Sequence, residues 1–342
     1  MATSLRHRKL LDKILQITGA SILVGALIGV LRSGGDTAAF FALQGSITGG
    51  VIGCGCSTVE FLIFSNSSLR RVRRLPPVML MASRALAYSF FILLGLAASG
   101  LLTIGLLPWQ QRDFLEVFLI SAAVSFAFST AIEINRLLGA EATAALVTGR
   151  YSRPRLEKRI VLFADIVGST ALAEKIGELA FHNFLQEVAL DLARPIDQSA
   201  GDVYRYVGDA VIVTWPLARG LKDARCLECA FQLHKVLERR KKDYQASFGH
   251  TPRIRVALHC GQVATGEIGD WKKEIALLGD TMNTAARIEG AAKVLNEATL
   301  LSNDIVGRLP DSATKPLRRL EPYQATGKSL SLTLWAADCP DE

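Results

Sequence analysis

Charge is missing from three long stretches of this 342-residue sequence and scarce in a fourth, and those gaps set the first limits on what the chain can be. No Asp, Glu, Lys or Arg occurs in "ILQITGASILVGALIGVL" (14 to 31), between Asp36 and Glu60, or in "ALAYSFFILLGLAASGLLTIGLL" (85 to 107). The stretch from about 115 to 134 has only Glu116 and Glu133, near its ends. At 1.5 Å per helical residue the first run reaches about 27 Å, close to the thickness of a bilayer core. Spanning helices are therefore expected over about 14–31, 38–62, 85–107 and 115–134. The second is glycine-rich and the fourth carries its two carboxylates, which leaves a count of three or a re-entrant segment open. A convincing cleavage site is also lacking after the first run, which is long for the apolar core of a secretory signal, so it is read as a helix.

Paired cysteines are lacking too. The six present are scattered over apolar and polar segments and give no disulfide framework. Cys226 and Cys229 in "ARCLECAF" have a metal-like spacing, but no second Cys or His pair of compatible spacing accompanies them, so they are read as core residues. Cys54 and Cys56 face different directions on a helix and are read as small buried residues. In the same run Gly45, Gly49 and Gly53 recur every fourth residue, which lets another helix approach closely, within the bundle or from a second chain.

A net charge of +7 admits nucleic acid or an anionic membrane as partner. Its placement selects the membrane: Arg6, Arg8, Lys9 and Lys13 in the tail and Arg70, Arg71, Arg73 and Arg74 in "LRRVRRLPP" both abut apolar runs. The intervening links carry one Arg and one Asp each, so the basic segments and both termini are expected on the cytoplasmic side, with a lipid bilayer and no nucleic acid as partner.

After residue 134 the composition changes. "NRLLGAEATAALVTG" and the basic, proline-containing "RYSRPRLEKR" form a joint over 135–158, and a soluble region follows over 159–342. Short apolar runs alternate there with amphipathic stretches: strand 159–164, helices about 169–198, strand pair 202–215, helix about 221–246, strands 253–268, helix about 281–295 and a strand-rich end. The expected fold is an all-α transmembrane bundle over 1–134 followed by an α/β (α+β) domain.

Three stretches of that domain carry chemistry. "RIVLFADIVGST" ends an apolar strand in Asp165, then a glycine and two hydroxyls whose backbone N–H groups at a helix start suit phosphate. "GDVYRYVGDAVIVTW" reads as a hairpin with Asp209 at its tip. If the two elements pair, Asp165 and Asp209 converge into a hard oxygen site for Mg²⁺ or Mn²⁺. "LLGDTMNTAARIEGAAK" places Asn283 and Arg287 four apart on one helix face, able to address one ligand together. Each taken alone also fits a plainer role: a helix cap, a turn aspartate, a solvated helix face.

Taken together, "VLFADIVGST", "GDVYRYVGDAVIVTW", "RVALHCGQVATGEIG" and "LLGDTMNTAARIEG", in that order, resemble the class III adenylate/guanylate cyclase family over about 155–336. The resemblance implies a ferredoxin-like core working as a head-to-tail homodimer on a nucleoside triphosphate. Asp165 and Asp209, with the Ile166 carbonyl, would ligate two divalent ions, and Val167, Gly168, Ser169 and Thr170 would hold phosphates. Asn283 would orient the ribose, Arg287 would stabilise the α-phosphate, and Lys328 would contact the triphosphate. His259 lies within a family motif and is read as structural. The family's purine-reading positions fall on Arg205 and Ala276, which depart from its usual Lys and Asp or Thr; ATP is favoured because the Glu usual in guanine recognition has no counterpart. A catalytically degenerate receptor and a guanylate cyclase remain as alternatives. A diguanylate cyclase is disfavoured, since its "GGDEF" is replaced by "VGDAV".

Overall fold

The computed structural model of the chain describes residues 2–33, 37–64, 77–103, 105, 114–324 and 331–338. The Cα positions group into two compact units, Met1–Glu133 and Ile134–Glu342.

The first unit holds α1 (Ala2–Arg32), α2 (Ala38–Phe64), α3 (Pro77–Thr103) and most of α4 (Phe114–Leu138). Each contains a stretch long and apolar enough to cross a membrane: Ile14–Arg32, Ala38–Glu60, Ala82–Thr103 and Phe114–Asn135. The third helix starts earlier than its uncharged run, because Pro77 suits a first helical turn and Arg84 is accommodated inside. The glycine stripe of α2 is used within the chain: a methyl group on Gly45 or Gly49 would run into the backbone carbonyls of Gly25 or Ser21 in α1. Arg84 is 3% exposed and bridges two helices, donating to Glu60 of α2 at 3.1 Å and to Glu133 of α4 at 2.9 Å. Tyr88 donates to the same Glu60 at 3.3 Å. Buried charges in an apolar bundle persist only when paired, and this cluster is paired. The basic loop at 70–74 lies outside the described residues.

The second unit begins with the end of α4, a break at Gly139 (φ 87°) and α5 (Ala140–Thr148). Then come β1 (Arg155–Ile166), α6 (Ser169–Ile176), α7 (Glu178–Gln198), β2 (Asp202–Val207), β3 (Ala210–Pro216), α8 (Leu217–Leu221), α9 (Arg225–Arg239) and α10 (Lys241–Phe248). β4 (Ile254–Ile268), β5 (Glu274–Leu278), α11 (Asp280–Leu295), β6 (Thr299–Ser302), α12 (Asn303–Val306), α13 (Asp311–Thr314), β7 (Leu317–Arg319) and β8 (Leu334–Ala337) complete it. The sheet runs β2-β3-β1-β4-β6-β8-β7, with β5 paired to β4 off that path; only the β4–β6 pair is parallel.

Residues 160–164 of β1 read as an unbroken apolar run because both faces of the sheet are covered there. Ile160, Leu162, Ala164 and Ile166 pack with Phe184 and Leu192 of α7 and Leu227 and Leu233 of α9. Val161 faces Ala285 of α11 on the opposite side, beside Ile212 of β3. Cys226 and Cys229 are fully buried in the first of these layers, as core residues. His259 of β4 is buried, its Nδ1 2.8 Å from Ser302 Oγ.

The joint is shorter than 135–158, because β1 starts at Arg155 rather than 159. The cause is Arg159, only 2% exposed despite its charge. It donates to Glu141 of α5 at 2.8 Å, to Glu157 at 2.8 Å and to the hydroxyl of the fully buried Tyr151 at 2.9 Å. A guanidinium can be buried when its fork is saturated by carboxylates. Burial would push the Glu141 carboxyl up, but the Arg159 bonds outweigh it and hold Glu141 below the usual range.

Candidate functional site

β1 and β3 pair antiparallel from Arg159↔Pro216 to Ala164↔Val211, so the strand end at Asp165 lies beside the β2–β3 turn. Gly208 takes φ 61° in that turn, a left-handed conformation that glycine adopts without strain, and Asp209 follows it at the tip. The two carboxyls come close enough for the charge of Asp209 to act on Asp165. Burial first, then the charges of Asp209 and Glu289, push Asp165 up to about 7. Two adjacent carboxylates resist joint ionisation unless a cation sits between them.

Among the described residues no group of three or more His, Cys, Asp or Glu side chains could hold a metal ion by itself. Two carboxylates and the Ile166 carbonyl nevertheless form an all-oxygen donor set that fits a small hard cation, since Mg²⁺ typically takes one or two carboxylates and completes its shell with substrate phosphates and water.

The turn after Asp165 is built for close approach. Gly168 adopts φ 72° and caps α6, leaving the first N–H groups of that helix directed outward. Val167 differs from its neighbours: its N–H donates to the Arg253 carbonyl at 2.8 Å, so the N–H groups open to an anion are those of Gly168, Ser169 and Thr170.

α11 carries Asn283 and Arg287 about 40° apart on the helix wheel. Asn283 is exposed and Arg287 partly so, its Nη1 3.6 Å from Asp280 Oδ1. Glu289, by contrast, lies near Asp165 of the same chain, close enough for each carboxyl to act on the other's ionisation. On the wheel it lies about 160° from Arg287 and about 120° from Asn283. The helix therefore turns Glu289 toward its own aspartates and the Asn/Arg pair away from them. The cation acting on Asp165 is Arg255, its partner across the β1–β4 ladder.

Arg205 and Ala276 lie on β2 and β5, and Arg205 forms an ion pair with Glu274. Lys328 lies outside the described residues. Glu274 and Glu289 were not singled out from sequence. The signal for Glu289 was a carboxylate next to the fully buried Ile288 of α11.

Residues 152–321 match the model of the adenylate and guanylate cyclase catalytic domain. Adenylate cyclase 2 of Rhizobium meliloti (strain 1021) is 34% identical over 271 residues, covering 78% of this chain and 75% of that protein. The chain belongs to the class III adenylate/guanylate cyclase family. Receptor-type guanylate cyclase Gyc76C of Drosophila melanogaster is 30% identical over 169 residues, 47% of this cyclase but only 11% of that much longer protein. Among solved structures, a bacterial light-regulated adenylyl cyclase superposes with a TM-score of 0.56 at 18% identity, covering 65% of each chain, which is a likeness of fold. The C-terminal unit is thus a cyclase catalytic domain, preceded by four apolar helices.

Proposed function

We propose that the chain is a membrane-anchored adenylate cyclase that converts ATP to 3′,5′-cyclic AMP and pyrophosphate at the interface of a homodimer. The observation that carries this reading is the phase of α11: Glu289 meets the chain's own Asp165, so Asn283 and Arg287 are presented outward, where a second copy's aspartates complete the site. Trp271, fully exposed at the β4–β5 hairpin tip beside exposed Ile268, is the kind of apolar projection that a second copy would cover. Two head-to-tail copies would form two such sites.

In this reading Asp165, Asp209 and the Ile166 carbonyl hold two Mg²⁺ or Mn²⁺ ions. Such ions, when bound, supply Lewis acidity toward the ribose 3′-hydroxyl and neutralise the triphosphate. The N–H groups of Gly168 to Thr170 receive phosphate oxygens, and Asn283 of the other copy fixes the ribose so that its 3′-oxygen lies in line with the α-phosphorus. As the 3′-oxygen releases its proton to solvent and bonds to phosphorus, and the bond to pyrophosphate breaks, Arg287 balances the charge on the α-phosphate oxygens. ATP is favoured over GTP by the Rhizobium relative, which covers most of both chains. Positive-inside charge in the tail and in the 70–74 loop supports a cytoplasmic side for both termini and the catalytic domain.

The test is an assay of the full chain in detergent or membranes with ATP and with GTP, under Mg²⁺ and under Mn²⁺, beside Asp209→Ala. Cyclic AMP from the wild type, reduced at least about a hundredfold in the variant, is expected, since even outer-shell ligand partners cost up to that much. Cyclic GMP alone would reassign the chain as a guanylate cyclase. Silence from a confirmed dimer under every condition would sink the enzymatic reading.

A further inference from the structure

The expected purine-reading position on β5 is Ala276, which has no side-chain acceptor, yet the strand does present a carboxylate on that face. Alternation puts Glu274, Ala276 and Leu278 on one side of β5. β2 meets that side by an irregularity: its register against β3 shifts between Val203 and Arg205, bringing Arg205 opposite Ile212. A bulge of this kind re-aims neighbouring side chains. Tyr204 packs with Val161, Ile212 and Ala285, and the Arg205 guanidinium lies 5.3 Å from the centre of the Tyr204 ring.

In the sheet β2 and β5 are separated by β3, β1 and β4. Two contacts nevertheless join them, so the β4–β5 hairpin must curl over the α11 side of the sheet. The Tyr204 hydroxyl accepts the Leu277 N–H at 3.1 Å, and Arg205 pairs with Glu274 through Oε2. The other oxygen, Oε1, is 2.9 Å from Lys272 Nζ. Lys272 first, then Arg205, hold the Glu274 carboxyl below the usual carboxylate range, so it accepts hydrogen bonds and does not donate. Both partners remain nearly half exposed, at 45% and 42%, and a ligand can reach them.

We propose that Glu274, rather than position 276, supplies the purine-reading carboxylate: Glu274 accepts an N–H of the adenine 6-amino group while Arg205 donates to the adjacent ring N1. The methyl group of Ala276 leaves room on the same face for the edge of the base. Adenine offers a donor at position 6 and an acceptor at N1; guanine offers the reverse order, an O6 acceptor beside an N1–H donor. A carboxylate set opposite position 6 therefore attracts adenine and repels guanine. This rests on the ATP-cyclase reading above.

The experiment compares kcat/KM for ATP and for purine riboside 5′-triphosphate, which lacks the 6-amino group, using the full chain in detergent as wild type, Glu274→Ala and Glu274→Gln. Loss of the amino group is expected to cost the wild type about tenfold or more, the usual scale for a hydrogen bond to a charged group. It should cost Glu274→Ala almost nothing, with ATP turnover in that variant falling to near the wild-type value for the analogue. Glu274→Gln keeps a carbonyl acceptor and should retain part of the discrimination. An unchanged ATP-to-analogue ratio in Glu274→Ala, even with lower absolute rates, overturns the proposal, because it would make Glu274 only a support for Arg205 and β5. No cyclic AMP from the wild type would instead defeat the ATP-cyclase reading itself.

Discussion

Asp165 and Asp209 were legible in the sequence because each sits at a punctuation mark, one at the end of an apolar strand and the other in a Gly-Asp turn, and antiparallel pairing of β1 with β3 brings such marks together. Glu274 was not, because its role depends on the β4–β5 hairpin curling across three strands to meet β2, a contact without a local pattern. Among the catalytic candidates, Arg287→Ala should lower turnover by about 10³-fold with little change in melting temperature, since a guanidinium aimed at a transferring phosphate is worth that much. A steady-state assay beside a thermal melt checks it. A different residue contributes to the acid stability of the domain. His234 Nε2 is 2.9 Å from Thr299 Oγ1, and burial pulls its imidazole down to about 4. The folded chain thus prefers the neutral ring, whose contribution is fully present above the unfolded value of about 6.5 and is lost as the pH falls toward 4. Thermal unfolding of wild type and His234→Gln between pH 7.5 and 4.5 should show a smaller acid loss in the variant, by about 2 kcal/mol after allowing for the partly exposed ring edge.

The helices and strands were legible wherever periodicity or charge depletion was strong, and least so at the joint. The basic run "RYSRPRLEKR" looks like a solvated linker, but Tyr151 and Arg159 are buried in it and Arg155 to Lys158 already belong to β1. Charge in sequence did not reveal burial, because Glu141, eighteen residues before Arg159, is the partner that makes burial possible. Replacing Arg159 with Met leaves Glu141 and Glu157 without their shared cation and should destabilise the catalytic domain by about 3 kcal/mol, the usual cost of breaking a buried pair from one side; denaturant unfolding followed by circular dichroism measures it. The same clamp ties α5 to the central strand that carries Asp165, and we propose α5 as the element through which a change in the preceding helix would reach the site. Inserting one residue between Asn135 and Leu138 rotates what precedes by about 100° and should change cyclase turnover while leaving every site residue in place. Unchanged turnover would mean the apolar helices anchor the enzyme without coupling to it.

At the scale of the whole molecule, one chain does not suffice for the proposed site. α11 turns Glu289 toward its own Asp165 and leaves Asn283 exposed, so in the proposed reading the metal-binding and transition-state residues would work together only across two copies. The four apolar helices would hold those copies in one plane of a bilayer, raising their effective concentration. The most direct measurement is complementation: Asp209→Ala and Arg287→Ala, each inactive alone, are co-expressed under different affinity tags and the mixed dimer is purified through both. One of its two sites then carries both substitutions and the other carries neither, so the mixed dimer should recover about half of the wild-type cyclic AMP production per dimer. A mixed dimer as inactive as its parents would contradict a site shared between two chains.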